Sequence, residues 1–239
     1  MRFFAAVAIL LAVVMVVLPS ASYARDKQYN AKQINLKVDG VLNEWGDSEV
    51  MLLDQLKDAG DALPDPNDFS GTGMVGWNSS DPSRIYFAVT ITDSELQDIY
   101  PFDDNYWNDD SMEFMFDFAN DGNLIQWNVS ADGEELSSTA NTDNTEWVVV
   151  NSGNKYIFEV AIDPGKGGQN FSAEVGKLIG LCIHYNDCEN GVREHQIGWV
   201  AGGAWDALSF GDLILDAEVV TAVEPSGKLA TTWGNLRSR

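Results

Sequence analysis

The chain has little of what nucleic-acid binders, zinc proteins and disulfide scaffolds depend on. Of its 239 residues only 14 are Lys or Arg, against 37 Asp or Glu, for a net charge of −23. That balance repels phosphate backbones and anionic membrane surfaces and removes both as partners. There are two histidines, His184 and His195, and two cysteines, Cys182 and Cys188, with no CxxC pair and no spaced histidine pair to hold a metal. Six positions of extended strand span about 20 Å, whereas bridged Cα atoms lie about 4.4 to 6.8 Å apart. A Cys182–Cys188 disulfide would therefore need a sharp bend after Asn186-Asp187, and free thiols are the expectation. The sequence also lacks G-x-S-x-G, H-E-x-x-H, a phosphate-binding loop and any long helical period. No organic cofactor is expected.

Long hydrophobic runs are limited to one. Met1-Arg2, the apolar stretch Phe3 to Leu18 and the small-residue exit Ala21-Ser22-Tyr23-Ala24 have the layout of a secretory signal. The run is 16 residues long, shorter than the roughly 20 that span a bilayer. Cleavage after Ala24 is expected, with the product secreted, periplasmic or at the cell surface and not inserted in a membrane. Its loss takes Arg2 with it and makes the balance more acidic still. Residues 25–216 read as one domain. Residues 217–239 read as a linker and tail, with the turn Glu224-Pro225-Ser226-Gly227 and an isolated Trp233.

What is present is strict alternation. Ile85, Phe87, Val89 and Ile91 share one face of a strand; Met112, Phe114, Phe116 and Phe118 share one face of the next. Ala119 to Asn123 is a hairpin-like connection into a strand with Ile125, Trp127 and Val129 inward. Tyr156 to Ile162, Ile179 to Tyr185, Arg193 to Val200 after the Asn190-Gly191 turn, and Asp212 to Leu215 continue the series. Short strands separated by Gly, Asn, Asp and Pro turns predict an all-β fold, an antiparallel β-sandwich of immunoglobulin-like or jelly-roll-like type. Trp45, Trp77, Trp127, Trp147 and Trp199 are expected to pack in the core or at strand ends.

The faces opposite the phenylalanines are polar. Glu113 lies on one strand, Gln126 and Asn128 on the next, and His184 with Asn186 on a later one. If these strands are neighbours, the polar groups form one surface, which taken residue by residue reads as an ordinary solvated face. Two tryptophans in polar loops, Trp107 beside Asn108-Asp109-Asp110 and Trp205 after Gly202-Gly203, change that reading. Two indoles can desolvate the C–H faces of a pyranose ring while a carboxylate and amides take its rim hydroxyls.

Taken in order, Val38-Asp39-Gly40 to Trp45, Ile85 to Val89 with Asp93, Trp107 to Glu113, Ile179-Gly180-Leu181 through Asn186-Asp187, and Trp205 with Phe210-Gly211-Asp212-Leu213 resemble the family 9 carbohydrate-binding modules. The resemblance implies a non-catalytic sandwich that binds the ends of β-glucan or xylan chains and small sugars, often beside polysaccharide-degrading enzymes and often with structural calcium. It places a paired-tryptophan clamp on Trp107 and Trp205 and an acidic acceptor on Glu113. It also marks two departures: Asn128 stands where the family has a sugar-contacting arginine, and His184 where it has a glutamine. Together with Gln126, these residues make up the expected sugar site.

Asp117 to Gly122 partly matches a calcium loop, but Ala119 falls where an oxygen side chain is required and Asn128 where a bidentate glutamate is, so the calcium ligands stay unassigned. Three other readings remain open at this point. A glycoside-active enzyme would use a carboxylate pair such as Asp110 and Glu113. A haem-binding sandwich would draw axial ligands from His184, His195 and methionines. A structural cell-surface protein would bind no sugar.

Overall fold

A computed structural model describes residues 25–80, 83–100, 106–134, 136–139 and 145–221. The expected leader, the tail from residue 222 and Trp233 lie outside them. Thirteen strands follow in order: β1 (Gln28–Gln33), β2 (Met51–Leu53), β3 (Gln55–Leu56), β4 (Phe69–Asn78), β5 (Arg84–Asp93), β6 (Ser111–Asp117), β7 (Ile125–Ser130), β8 (Leu136–Ser138), β9 (Glu146–Ser152), β10 (Lys155–Ile162), β11 (Leu178–Glu189), β12 (Val192–Gly198) and β13 (Gly211–Val219). Three short 3-10 turns, Leu42–Trp45, Tyr106–Asn108 and Ala207–Ser209, sit in loops. Among the described residues no helix is long and apolar enough to cross a membrane.

The strands run β8-β7-β6-β11-β13 and then β1-β4-β5-β10-β9. Pairing is antiparallel except where β1 lies parallel to β13 and to β4 and so joins the two layers. The expected β-sandwich is the observed one. Alternation explains the layers: Phe87, Phe114, Phe116, Trp127 and Phe158 are fully buried between them, with the Phe87 and Phe114 rings 4.6 Å apart and Trp127 edge-on to Phe116 at 5.5 Å. Burying such side chains contributes about 1.5 to 3 kcal/mol each.

β4 carries three glycines, which the alternation rule reads as breaks. In the fold they mark close approach: a Cβ at Gly76 would lie 2.5 Å from Ile34 Cγ2, and one at Gly71 would lie 3.0 Å from the Cβ of Leu53. The Asp39-Gly40…Trp45 block is explained by a residue far away. Glu159 of β10, fully buried, accepts from the backbone N–H of Asp39 and of Gly40, each at 2.8 Å, and from Trp45 Nε1 at 2.9 Å.

β11 stays extended past both cysteines, and Cys182 and Cys188 are free and buried. Its one irregularity is a register shift at Asp187/Cys188, too slight to fold the strand back on itself. β13 runs to Val219, three residues past the expected boundary at 216, because Val219 still aligns with Gln33 and Val220 donates to Gln33 O.

One edge of β11 is shared. Residues 178–181 pair with β13, and residues 184–189 pair with β12. The chain between β12 and β13 leaves the sheet at that junction and forms the loop that carries Trp205.

Candidate functional site

The polar faces do share one layer. Glu113 is aligned with Asn128 of β7 and with His184 of β11, and Asn186 is aligned with Ser111 and with Gln196 of β12. The solvated face read from the sequence is corrected here: Glu113, Gln126, Asn128, His184, Asn186 and Gln196 are all buried. Alternation reports which side of a strand a residue takes and is blind to loops that cover that side. Gly198 lies opposite His184, where a Cβ would meet Ile183 O at 2.8 Å and His184 Cβ at 3.0 Å, so the bare position lets the β12 backbone lie close against β11 at His184.

Buried polar groups must be paired, and these converge on Glu113. Its Oε2 accepts from Gln126 Nε2 and faces His184 Nε2 at 2.8 Å, and its Oε1 accepts from Asn186 Nδ2 at 2.6 Å. Asn186 Oδ1 in turn accepts from Arg193 Nη1 and from Gln196 Nε2, each at 3.1 Å. Burial alone would raise the Glu113 carboxyl, but the His184 charge and the donors around it hold it below the usual range. Burial would lower the imidazole, but the adjoining carboxylate holds it up, to about 9. The pair is therefore ionised at neutral pH.

Above Glu113 opens a cleft of about 190 Å³ lined by Asp58, Trp107, Gln126, Arg193, Gln196, Ala204 and Trp205. That is below the roughly 300 to 1,000 Å³ of drug-sized pockets, a size for a sugar ring rather than a long chain segment. Trp107 is 38% and Trp205 57% exposed, so each indole presents surface to solvent. Of the six residues expected from the sequence, Trp107, Trp205, Glu113 and Gln126 meet here. His184 and Asn128 do not line the cleft: His184 supports Glu113 from beneath, and Asn128 is buried with its Oδ1 unpaired.

Sequence reasoning missed Asp58, Arg193 and Gln196. Arg193 had a signal, as a scarce cation just past a strand turn. Asp58 had none, because it reaches the cleft through loop contacts: its Oδ2 accepts from Ala204 N at 2.9 Å, and its N–H donates to Gln196 Oε1 at 3.2 Å.

The acids beside Trp107 have other work. Asp109 accepts from the N–H of Ile99 and of Tyr100, and Asp110 from the N–H of Gln97 and of Cys188, which pins the base of the Trp107 loop. Asp110 is not among the residues that line the cleft. It joins Asp93 and Asp187, all three buried, with one carboxylate oxygen from each within 4.8 Å of the others. Burial, then repulsion between carboxylates, pushes Asp93 up to about 7 and Asp110 to about 9. Hard oxygen donors crowded in this way suit a divalent cation such as calcium. His195 is partly buried and holds Asp187 Oδ2 at 3.0 Å.

The partial calcium loop at 117–122 is filled differently. The Arg25 guanidinium binds Asp117 Oδ2 at 3.3 Å and Asn120 Oδ1 at 2.7 Å. A larger apolar groove, about 360 Å³ between Leu52, Leu63, Pro64 and Pro66, lies against β2, β4 and β5 and has no indole in its lining.

Comparison with known proteins accords with this geometry. A family 9 carbohydrate-binding module from Caldicellulosiruptor kristjanssonii in complex with cellotriose superposes with a TM-score of 0.66 at 15% identity, covering 83% of this chain and 98% of that one. A second structure of such a module from the same organism, in complex with glucose, gives 0.65 at 14% identity, covering 83% and 100%. A protein from Bacteroides uniformis, described as a putative carbohydrate-binding protein, gives 0.58 at 12%, covering 80% and 99%. No curated protein matches. At these identities the likeness shows a shared fold. Residues 38–218, most of the chain, match the family described as carbohydrate family 9 binding domain-like, and the protein belongs to that family.

Proposed function

We propose that the protein is an exported, non-catalytic carbohydrate-binding module that clamps a small sugar, or the end of a β-glucan or xylan chain, between Trp107 and Trp205. The observation that carries this reading is the placement of two solvent-facing indoles from separate loops around one cleft whose floor is an ionised carboxylate. The indoles cover the ring faces. Glu113 accepts from the rim: a carboxylate has about four acceptor sites, and three are taken by Gln126, His184 and Asn186, which leaves one for a sugar hydroxyl. Arg193 brings a guanidinium into the cleft from β12 and offsets the loss of the family's arginine at Asn128.

The same network argues against hydrolysis. A glycosidase needs a second carboxyl beside the ligand to act as the acid, and Asp110, the partner considered for Glu113, is engaged by the N–H groups of Gln97 and Cys188 and does not line the cleft. Haem ligation fits poorly, since His184 is buried against Glu113 and Cys182 while His195 is bound to Asp187. Cellotriose and glucose complexes of the structural relatives support a glucan-type ligand. Structural calcium is best assigned to Asp93, Asp110 and Asp187, where it would neutralise crowded carboxylates and stiffen the base of the Trp107 loop. Export through the leader at 1–24 would put the module where polysaccharides and the enzymes that degrade them meet.

Calorimetric titration with glucose, cello- and xylo-oligosaccharides, comparing wild type with Trp107→Ala and Trp205→Ala, tests the reading. Each truncation is expected to weaken binding about thirtyfold, the size of an interface hot spot. Affinity unchanged in both variants would refute the clamp, and absence of binding to every sugar would favour the structural surface protein.

A further inference from the structure

Basic side chains are rare here, 14 in 239 residues, and three of them are directed at backbone carbonyls of one segment. Lys27 Nζ donates to Trp199 O at 2.6 Å, Lys57 Nζ to Ala201 O at 3.4 Å and Arg25 Nε to Ala207 O at 3.3 Å. The segment 199–207 contains Trp205. With the Asp58–Ala204 bond already described, these contacts grip the loop on both sides of the indole.

Arg25 has the most elaborate seat. Asp117 of β6, Gly180 of β11 and Asp212 of β13 are aligned across three neighbouring strands. Gly180 has no side chain, and a Cβ there would lie 2.7 Å from Arg25 Nη2 and 2.9 Å from its Cζ. The guanidinium lies over that bare position with Asp117 Oδ2 at 3.3 Å on one side and Asp212 Oδ1 at 3.2 Å on the other. Nη1 also reaches Asn120, and only Nε is directed at the loop. The arginine side chain is 9% exposed and that of Asp117 2%, so this is a desolvated, charge-assisted contact rather than a surface pair. Asp117 and Glu113 are on the same face of β6, four residues or about 13 Å apart. The loop crosses that face from Arg25 toward the cleft.

We propose that Arg25 is a positioning residue for the Trp205 half of the clamp: its guanidinium, fixed by Asp117 and Asp212 over Gly180, holds Ala207 and so sets where the Trp205 indole stands above Glu113. The proposal rests on the carbohydrate reading for its functional consequence, though not for its structural one. Lysine cannot substitute, because a single ammonium cannot meet two flanking carboxylates and the loop carbonyl with the geometry of a planar fork.

Two measurements on the full chain test it. Amide hydrogen exchange over residues 204–209 needs no sugar. In Arg25→Gln it should quicken about tenfold or more, as expected for loss of a charge-assisted bond, while exchange in β5 and β10 stays at the wild-type rate. Sugar affinity should fall by about the same factor, with Arg25→Lys recovering little of it and Lys166→Ala, at a distant ion pair, losing none. Asp212→Asn leaves Arg25 in place with one anchor fewer and should move both readings in the same direction; it decides the matter if Arg25→Gln does not fold. Exchange at 204–209 that stays at the wild-type rate would overturn the positioning role. Faster exchange with unchanged affinity would overturn its link to the clamp. If wild type binds no sugar, the carbohydrate reading fails and the exchange experiment still decides whether Arg25 sets the loop.

Discussion

The imidazole Nε2 of His184 lies 2.8 Å from Glu113 Oε2, and both side chains are buried. The His184 pKa is raised, to about 9, and the Glu113 pKa lowered, so the two halves of the pair have opposite pH limits. The histidine contribution is complete below its unfolded value of about 6.5 and is lost as pH rises through the folded value. The glutamate contribution is complete above about 4.5 and is lost as pH falls through its lowered folded value. Stability measured by urea unfolding should therefore decline from pH 6.5 to 9 in wild type and less steeply in His184→Gln, where the decline due to the raised Asp110 carboxyl remains. At pH 6 that variant should lose about 3 kcal/mol, the cost of leaving a buried charge alone. Equal slopes in the two proteins would show that the pair is not ionised.

Arg193 supplies the cleft's guanidinium, so its removal should act on binding more than on folding. Arg193→Ala should weaken sugar binding about tenfold, in keeping with loss of a hydrogen bond to a charged group, with little change in melting temperature. Arg193→Lys should restore less than half of the lost binding free energy, because an ammonium cannot bridge Asn186 and a sugar hydroxyl with fixed geometry. Full recovery by lysine would reduce the residue to a point charge.

Calcium at Asp93, Asp110 and Asp187 should raise the melting temperature of chelator-treated protein, and magnesium should do so less, since it keeps more of its water. Asp110→Asn should abolish the calcium-dependent rise. Because Asp110 also holds the N–H groups of Gln97 and Cys188, the asparagine variant should melt lower even without the ion. A calcium response that persists in Asp110→Asn would move the ion elsewhere.

Glu159 gathers three N–H donors at full burial. Glu159→Gln replaces one acceptor oxygen with a donor that faces donors, so chemical denaturation should show a loss of about 2 to 4 kcal/mol, the cost of unsatisfied buried groups. Trp45→Phe, which removes only one donor, should cost less. The reverse order would mean that packing of the indole, rather than the carboxylate, fixes the segment.

Strand alternation made the sandwich legible, and the fully buried core tryptophan Trp127 was read correctly. β4 was not seen, because Gly71, Gly73 and Gly76 look like breaks until their neighbours are known. Trp107, Trp205 and Glu113, which line one cleft, were singled out by residue type and order. Asn128 and His184 were placed at the cleft wall because periodicity gives the side of a strand and not the depth beneath loops. Asp58 and Arg25 were invisible for a related reason: each is tied to the Trp205 loop by a backbone contact more than a hundred positions away.

The handover along β11, from β13 to β12 between residues 181 and 184, has a consequence for how such a protein can diversify. The segment bearing Trp205 begins and ends at that seam, so its length and composition can change without altering a rung of the ladder on either side. Trp107, by contrast, sits three residues before a carboxylate that holds two backbone segments. On the proposed function, one jaw can change its side chains about fixed backbone ties while the other is constrained by folding, and a library confined to the side chains of residues 200–209 is the economical place to select new sugar preferences.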